Sequence, residues 1–157
     1  MTTFNVEYIN PFLNAAVNVL KDVCQLETTM EKPRLKDLVY DDDTLVIIIG
    51  VTGGMKGSVL ITFSSQVGCN IASKMMMGMP VNELNDMAKS AISELGNMIL
   101  GNAATLFSAK GIDIDITPPS VCFGNMSISV NETKNICVPL IYDEDKVVEI
   151  NIAIKDK

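Results

Sequence analysis

The chain has 157 residues, 48% of them hydrophobic, and carries a formal net charge of −7 at pH 7. This length and composition exclude a disordered chain and favour one α/β domain with a sizeable core over residues 1–157. The acidic balance argues against nucleic acid and against an anionic membrane as partners.

The chain contains no histidine. This absence removes the usual general base near neutral pH and the commonest metal ligand, so a Ser-His-Asp triad, a Cys-His pair and a His-based zinc site are excluded. The cysteines are isolated in apolar stretches, with no C-x-x-C pair, and we expect reduced core thiols rather than disulfides or a zinc site. They are Cys24, Cys69, Cys122 and Cys137.

No stretch resembles a signal peptide, and the longest continuous apolar run, residues 45–49, is far too short to span a membrane. We therefore expect a cytoplasmic protein.

In chain order, the first predicted element is a helix over residues 10–26, with Asn10 as its N-cap and Pro11 at its first helical position. A solvated turn is predicted at 41–43. The other predicted elements are an extended segment over 28–38, a hairpin of strands 45–51 and 58–63 joined through Gly53-Gly54, helices over 65–77 and 85–110, and strands over 112–121, 135–142 and 147–154.

A weak internal repeat runs through these elements. Each half reads as a helix, an extended segment with proline, and a hairpin. Glu7-x-x-Asn10 in the first half corresponds to Glu94-x-x-Asn97 in the second. The repeat predicts two pseudo-symmetric halves that form one mixed or antiparallel sheet with helices on one face, the 65–77 helix being an insertion.

The helix over 85–110 carries a polar stripe. At about 100° per residue, Ser90, Glu94, Asn97 and Gly101 fall within an arc of roughly 60°. A carboxylate and a carboxamide thus lie one turn apart, opposite a core-facing side that contains Ile92, Leu95, Ile99, Ala103 and Leu106. We expect the small residues Gly96, Gly101 and Ala104 to flank the stripe and let a ligand or another backbone come close.

The pattern Ser90-x3-Glu94-x2-Asn97, followed by Pro118 and Pro119, resembles the signature of the CheC/CheX/FliY phosphatases of bacterial chemotaxis. Segments 9–12, 57–61 and 94–103 look like CheX-type segments, so the resemblance covers most of the chain. It implies a CheC-like fold and, as substrate, the phosphorylated aspartate of a CheY-like receiver domain.

The same resemblance implies roles for single residues. Asn97 would orient a water for in-line attack on phosphorus, and Glu94 would pair with the active-site lysine of the receiver. Ser90 and Gly101 would contribute to partner binding. The receiver would supply Mg²⁺, so the chain would need no metal or cofactor of its own. A homodimer is also implied.

Physical chemistry supports this assignment. An acyl phosphate is already reactive, and its hydrolysis needs a positioned nucleophile and charge stabilisation more than a strong base. The ordinary alternative for a Glu and an Asn at i, i+3 is a solvated helix face. The rival functions are a non-catalytic module that binds a receiver or flagellar-switch component, and a small-ligand sensor.

Several further features suggest structural roles. If Pro11 opens the first helix, Glu7 lies before it and the pair with Asn10 lacks the geometry of an active site. The methionines of segment 75–79 could form a partner surface, although a helix end buried at a domain or subunit contact is favoured. Pro118 and Pro119 predict a broken or edge strand. The glycine-rich segment 50–57 lies between strands and is no phosphate loop.

The last hairpin provides modest sequence support for the dimer. Its many apolar residues, Ile150 and Ile152 among them, would form a poorly protected sheet edge in a monomer, with Lys146, Glu149 and Asn151 giving only partial protection. The alternative is a monomer in which the first-half hairpin covers that edge.

Overall fold

A computed structural model describes residues 6–130 and 134–156. Within these ranges, three α-helices pack on one face of an eight-stranded sheet, and a small two-stranded sheet lies against the other face. The helices are α1 (Val6–Cys24), α2 (Ser65–Met75) and α3 (Asp86–Ser108). The strands are β1 (Thr29–Met30), β2 (Arg34–Leu35), β3 (Val39–Tyr40), β4 (Thr44–Gly53), β5 (Met55–Ser64), β6 (Ile114–Ile116), β7 (Ser120–Phe123), β8 (Met126–Ser127), β9 (Ile136–Tyr142) and β10 (Lys146–Asp156).

In the sheet, strands from each half of the chain pair with strands from the other half. Its strand order is β1-β9-β10-β5-β4-β6. In addition, β2 pairs with β9 and β7 pairs with β4, and the strand pairs among the described residues are antiparallel. The hairpins β4–β5 and β9–β10 meet in the centre, where Ile150 pairs with Ile61. The extended segment of each half pairs with the hairpin of the other half. This arrangement confirms the predicted pseudo-symmetric halves.

The same order corrects the predicted sheet edge. β10 lies between β5 and β9, so Ile150 and Ile152 are buried in the core rather than placed at an edge. The first-half hairpin covers the last one, which confirms that part of the alternative and leaves the oligomeric state untested. The apolar character of β9–β10 reflects burial inside one chain and gives no argument for a dimer.

Two polar residues of β10 also have a different role from the predicted edge protection. The Glu149 carboxylate accepts hydrogen bonds from Lys36 at 2.7 Å and from Arg34 at 3.1 Å. The fully buried Asn151 side chain donates to the Leu60 carbonyl at 3.2 Å. These contacts attach the 34–36 segment to the sheet and satisfy polar groups that burial would otherwise penalise.

The first helix starts earlier than predicted. α1 includes Asn10 and Pro11, so Asn10 is not an N-cap and Pro11 is not the first helical residue. Proline inside a helix removes a hydrogen bond and normally destabilises it. Here the Pro11 ring is buried and contributes apolar surface to the core, and the adjacent Phe12 packs edge-on against Phe107 with ring centroids 5.0 Å apart.

α2 begins at Ser65 as predicted, and α3 begins at Asp86, one residue after the predicted start. Ser64 caps α2 by accepting from the Val67 amide at 3.3 Å, and Asn85 caps α3 by accepting from the Ala88 amide at 2.8 Å. The strand expected over 112–121 is broken into β6 and β7 around Pro118, which confirms the effect expected of the prolines.

The four cysteines are free thiols, but only Cys24 and Cys137 are buried as expected of core thiols, whereas Cys69 and Cys122 are half-buried. Burial raises the pKa of Cys24 and of Cys137 to about 11. Among the described residues, no helix combines the length and the apolar character needed to cross a membrane.

Candidate functional site

The polar stripe lies on α3, which is held firmly on the sheet. Its buried inner face consists of Ala88, Ile92, Leu95, Gly96, Ile99, Leu100, Ala103 and Phe107. Of the predicted core-facing residues, Ile92, Leu95, Ile99 and Ala103 are buried, whereas Leu106 is only half-buried. The Asn85 cap orders the first turn, and the Phe12–Phe107 contact holds the last turns against α1. The stripe is therefore presented by a rigid element rather than by a loop.

Gly96 has a different role from the predicted one. It is buried against the sheet, where an added Cβ would lie 2.8 Å from Ile47 Cγ2. This glycine lets α3 approach β4 closely and does not flank the polar stripe. The sequence signal was ambiguous because a glycine in a helix serves a close packing contact and a ligand contact equally well.

Glu94 and Asn97 are both exposed on the outer face of α3. Their positions differ by three residues, which is about 4.5 Å along the helix axis. Neither side chain forms a hydrogen bond or an ion pair with a described residue. A carboxylate and a carboxamide with no partner among the described residues, about one turn apart on the exposed face of α3, are available to a molecule that docks from outside.

The two predicted neighbours in the stripe are also accessible. Ser90 is exposed one turn before Glu94. Gly101 lies one turn after Asn97, and a Cβ added there would meet nothing within 4 Å. Of the flanking small residues, Gly101 thus leaves open space beside the pair, as expected for close approach by a partner.

The stripe offers positioning groups but little charge stabilisation. An amide can accept a hydrogen bond from a water while donating another, so Asn97 can orient a nucleophile without being a base. Within residues 6–130 and 134–156, no group of three or more Cys, Asp or Glu side chains could hold a metal ion.

The first-half pair Glu7 and Asn10 has helical geometry after all. Both residues lie within α1, three positions apart, and both are exposed. The prediction that Glu7 precedes the helix is wrong because the helix extends through Pro11 to Val6 at least. The geometric objection to a second pair is thereby removed, although Pro11, directly after Asn10, has no counterpart after Asn97.

The methionines at the end of α2 divide into two groups. Met75 and Met76 pack against the main core, as a buried helix end should. Met77 and Met79 are exposed, and Met87 is exposed on the first turn of α3. The exposure of Met77 and Met79 departs from the favoured buried helix end and fits the alternative of a partner surface at 75–79, to which Met87 was not assigned.

Two other predicted assignments are confirmed as structural. The 41–43 segment is a turn in which the Asp41 carboxylate accepts from the Thr44 hydroxyl and the Asp43 amide, and these bonds lower the pKa of Asp41. The glycines of segment 50–57 lie within the β4–β5 hairpin, not in a phosphate-binding loop.

Comparison with known proteins identifies the family. Residues 45–140 match the family described as "Chemotaxis phosphatase CheX". The CheY-P phosphatase CheX of Thermotoga maritima is 38% identical over 116 residues, which cover 74% of this chain and 75% of that protein.

Solved structures match over nearly the whole chain. A CheC-like superfamily protein from Shewanella sp. PV-4 has 33% identity and a TM-score of 0.85, with 97% of this chain and 99% of that chain covered. The CheX–CheY–BeF3–Mg²⁺ complex from Borrelia burgdorferi has 34% identity and a TM-score of 0.82, with 97% and 100% covered. The fold is therefore CheC-like, and the chain belongs to the CheX family of chemotaxis phosphatases.

Proposed function

We propose that this chain hydrolyses the aspartyl phosphate of a CheY-like receiver domain, with Asn97 orienting the attacking water and Glu94 pairing with the receiver's active-site lysine. The observation that carries the proposal is the exposed, internally unpartnered Glu94–Asn97 pair on the rigid helix α3. Membership of the CheX family supports the reaction, and the geometry of the pair supports the two roles.

The reaction needs little from the phosphatase beyond geometry. The oxygen of a water held by the Asn97 amide attacks phosphorus in line with the acyl oxygen. The bond from phosphorus to that oxygen breaks, which leaves the receiver's aspartate carboxylate and inorganic phosphate, and the water's second proton passes to solvent or phosphate. Orientation of this kind lowers the entropic part of the barrier.

Charge neutralisation would come from the receiver. A Mg²⁺ ion bound there stabilises the transferring phosphoryl group, and the Borrelia burgdorferi complex, which holds CheY, BeF3 and Mg²⁺ together, supports this source. Glu94 would draw the receiver lysine into an ion pair. Ser90 and Gly101 would contact the receiver on either side of the pair. The protein would act in the cytoplasm as a single domain over residues 1–157.

Alanine substitutions at the pair test the residue roles. Glu94→Ala and Asn97→Ala should each lower receiver-phosphate hydrolysis by about 10²-fold or more, because a misplaced water loses the benefit of orientation. Both side chains are exposed, so the free energy of unfolding should change by no more than about 0.5 kcal/mol. Phosphate release from a purified phosphorylated receiver and urea unfolding measure the two effects.

Asn102→Ala is the matched control, since Asn102 is an exposed asparagine of the same helix outside the stripe. It should leave turnover unchanged. Near-normal phosphate release by Asn97→Ala would rule out the proposed role. If the wild-type chain binds the phosphorylated receiver without accelerating phosphate release, the protein is the non-catalytic binding module instead.

A further inference from the structure

Three exposed methionines lie in the segment after α2 and at the start of α3, the helix that carries the polar stripe. Met77 is 98% exposed, Met79 55% and Met87 61%. Met79 and Met87 line one groove of about 310 Å³. Its other lining residues are the apolar Met76, Pro80 and Val81 and the polar Asn82, Glu83 and Asn85. We call Met77, Met79 and Met87 the methionine patch. Apolar side chains this exposed contribute little to the stability of the chain itself.

An ordered turn holds the patch outward. The Gly78 amide donates to the Ser73 carbonyl at 2.8 Å, and the Met77 amide donates to the Lys74 carbonyl at 3.3 Å. Met77 has a φ of 59°, in the left-handed region that residues with a side chain rarely adopt. The backbone therefore keeps Met77 and Met79 at the surface in a defined geometry, and their exposure is not a frayed helix end.

The patch is continuous with the proposed catalytic pair. Met87, Ser90, Glu94 and Asn97 follow one another at spacings of three, four and three, so they share one face of α3. Met87 lies about 10.5 Å from Glu94 and about 15 Å from Asn97 along the helix axis. A standard interface buries about 800 Å² per partner, which corresponds to a radius of about 16 Å. A receiver centred on the pair would therefore cover Met87.

We propose that the methionine patch docks the phosphorylated receiver, and that its groove takes an apolar side chain from the receiver surface beside the phosphorylated aspartate. This inference rests on the proposed function. An exposed Glu–Lys pair gives little affinity by itself, whereas methionine is adaptable and enriched at protein interfaces. The patch thus supplies affinity for the receiver, and Glu94 and Asn97 supply turnover.

The double variant Met79→Gln/Met87→Gln tests whether the methionine patch affects receiver affinity without affecting turnover. Glutamine keeps the length of methionine and removes the apolar end. Two measurements are needed: calorimetric affinity for a purified CheY-type receiver activated with Mg²⁺ and BeF3, and the kcat and KM for the phosphorylated receiver. We expect affinity to fall and KM to rise about tenfold, with kcat within about twofold of the wild-type value.

Met30→Gln is the control, because Met30 is an exposed methionine on β1. This strand lies at the opposite end of the sheet from β4 and β6, the strands next to α3. It should leave affinity and KM unchanged. Unchanged affinity and KM in the double variant would overturn the proposed docking role of the methionine patch. In that case, loss of turnover in Asn97→Ala would show that the proposed function still holds. A fall in kcat at constant affinity would also overturn it. A lower sedimentation mass at constant receiver affinity would assign the patch to a second copy of the chain.

Discussion

Single residues on α3 and α1 show what helical periodicity can and cannot predict. The 100° rotation per residue correctly separated the exposed Glu94 and Asn97 from the buried Ile92 and Leu95. The role of Gly96 was not predictable in the same way, because the reason for a glycine lies in its neighbour, Ile47 of β4. Sequence spacing gives the face on which a residue lies but not the element packed against it.

Asn10 offers a test that separates a structural role from a second catalytic one. Since Asn10 is exposed and lies inside α1 rather than at its N-cap, Asn10→Ala should stabilise the protein by about 0.5 kcal/mol through higher helix propensity. Under the single-site proposal, receiver-phosphate hydrolysis should not change. Thermal unfolding and phosphate release measure both effects. A large loss of turnover at unchanged stability would establish Glu7 and Asn10 as a second site.

The elements were predictable where their signals were local. The β4–β5 and β9–β10 hairpins, the helices α2 and α3 and the proline break between β6 and β7 all follow from alternation, helical periodicity and turn residues. The start of α1 was not predictable in this way, because the Asn10-Pro11 pair fits the first turn of a helix as well as it fits its observed position inside α1. The β3–β8 pair was missed because two-residue strands have no periodicity to detect.

The packing of α3 on the sheet predicts opposite effects of alanine at its two glycines. Gly96→Ala would place a Cβ 2.8 Å from Ile47 Cγ2, and the overpacking should destabilise the protein by about 1 to 2 kcal/mol. Gly101→Ala enters open space and should stabilise the helix by up to about 1 kcal/mol. Urea unfolding midpoints measure the difference, and a shift of the same sign at both sites would contradict this packing.

At the scale of the whole molecule, the sequence predicted the halves but not how they pair. Alternating residues show which face of a strand is buried, yet they do not identify its neighbours. That is why β9–β10 was expected at an edge although it lies in the centre. The outer strands have the features of protected edges. β1 and β2 are short and flank Pro33, and β6 and β7 are interrupted at Pro118.

The homodimer implied by the CheX-type segments therefore remains a prediction, and it needs a surface other than the β9–β10 hairpin. We expect a mass near twice 17.0 kDa by sedimentation at micromolar concentration. Ile150→Lys should unfold the chain or destabilise it by about 4 kcal/mol or more, since it places a charge in the core.

Leu35→Lys is the matched control, because Leu35 is 58% exposed on β2 and should tolerate a charge without loss of stability. Circular dichroism melting compares the two variants. A wild-type mass near 17.0 kDa would reject the dimer. A folded, monomeric Ile150→Lys variant of a dimeric parent would instead restore the hairpin as the interface. That outcome would contradict the central place of β10, where Ile150 faces Val138 on one side and Ile61 on the other.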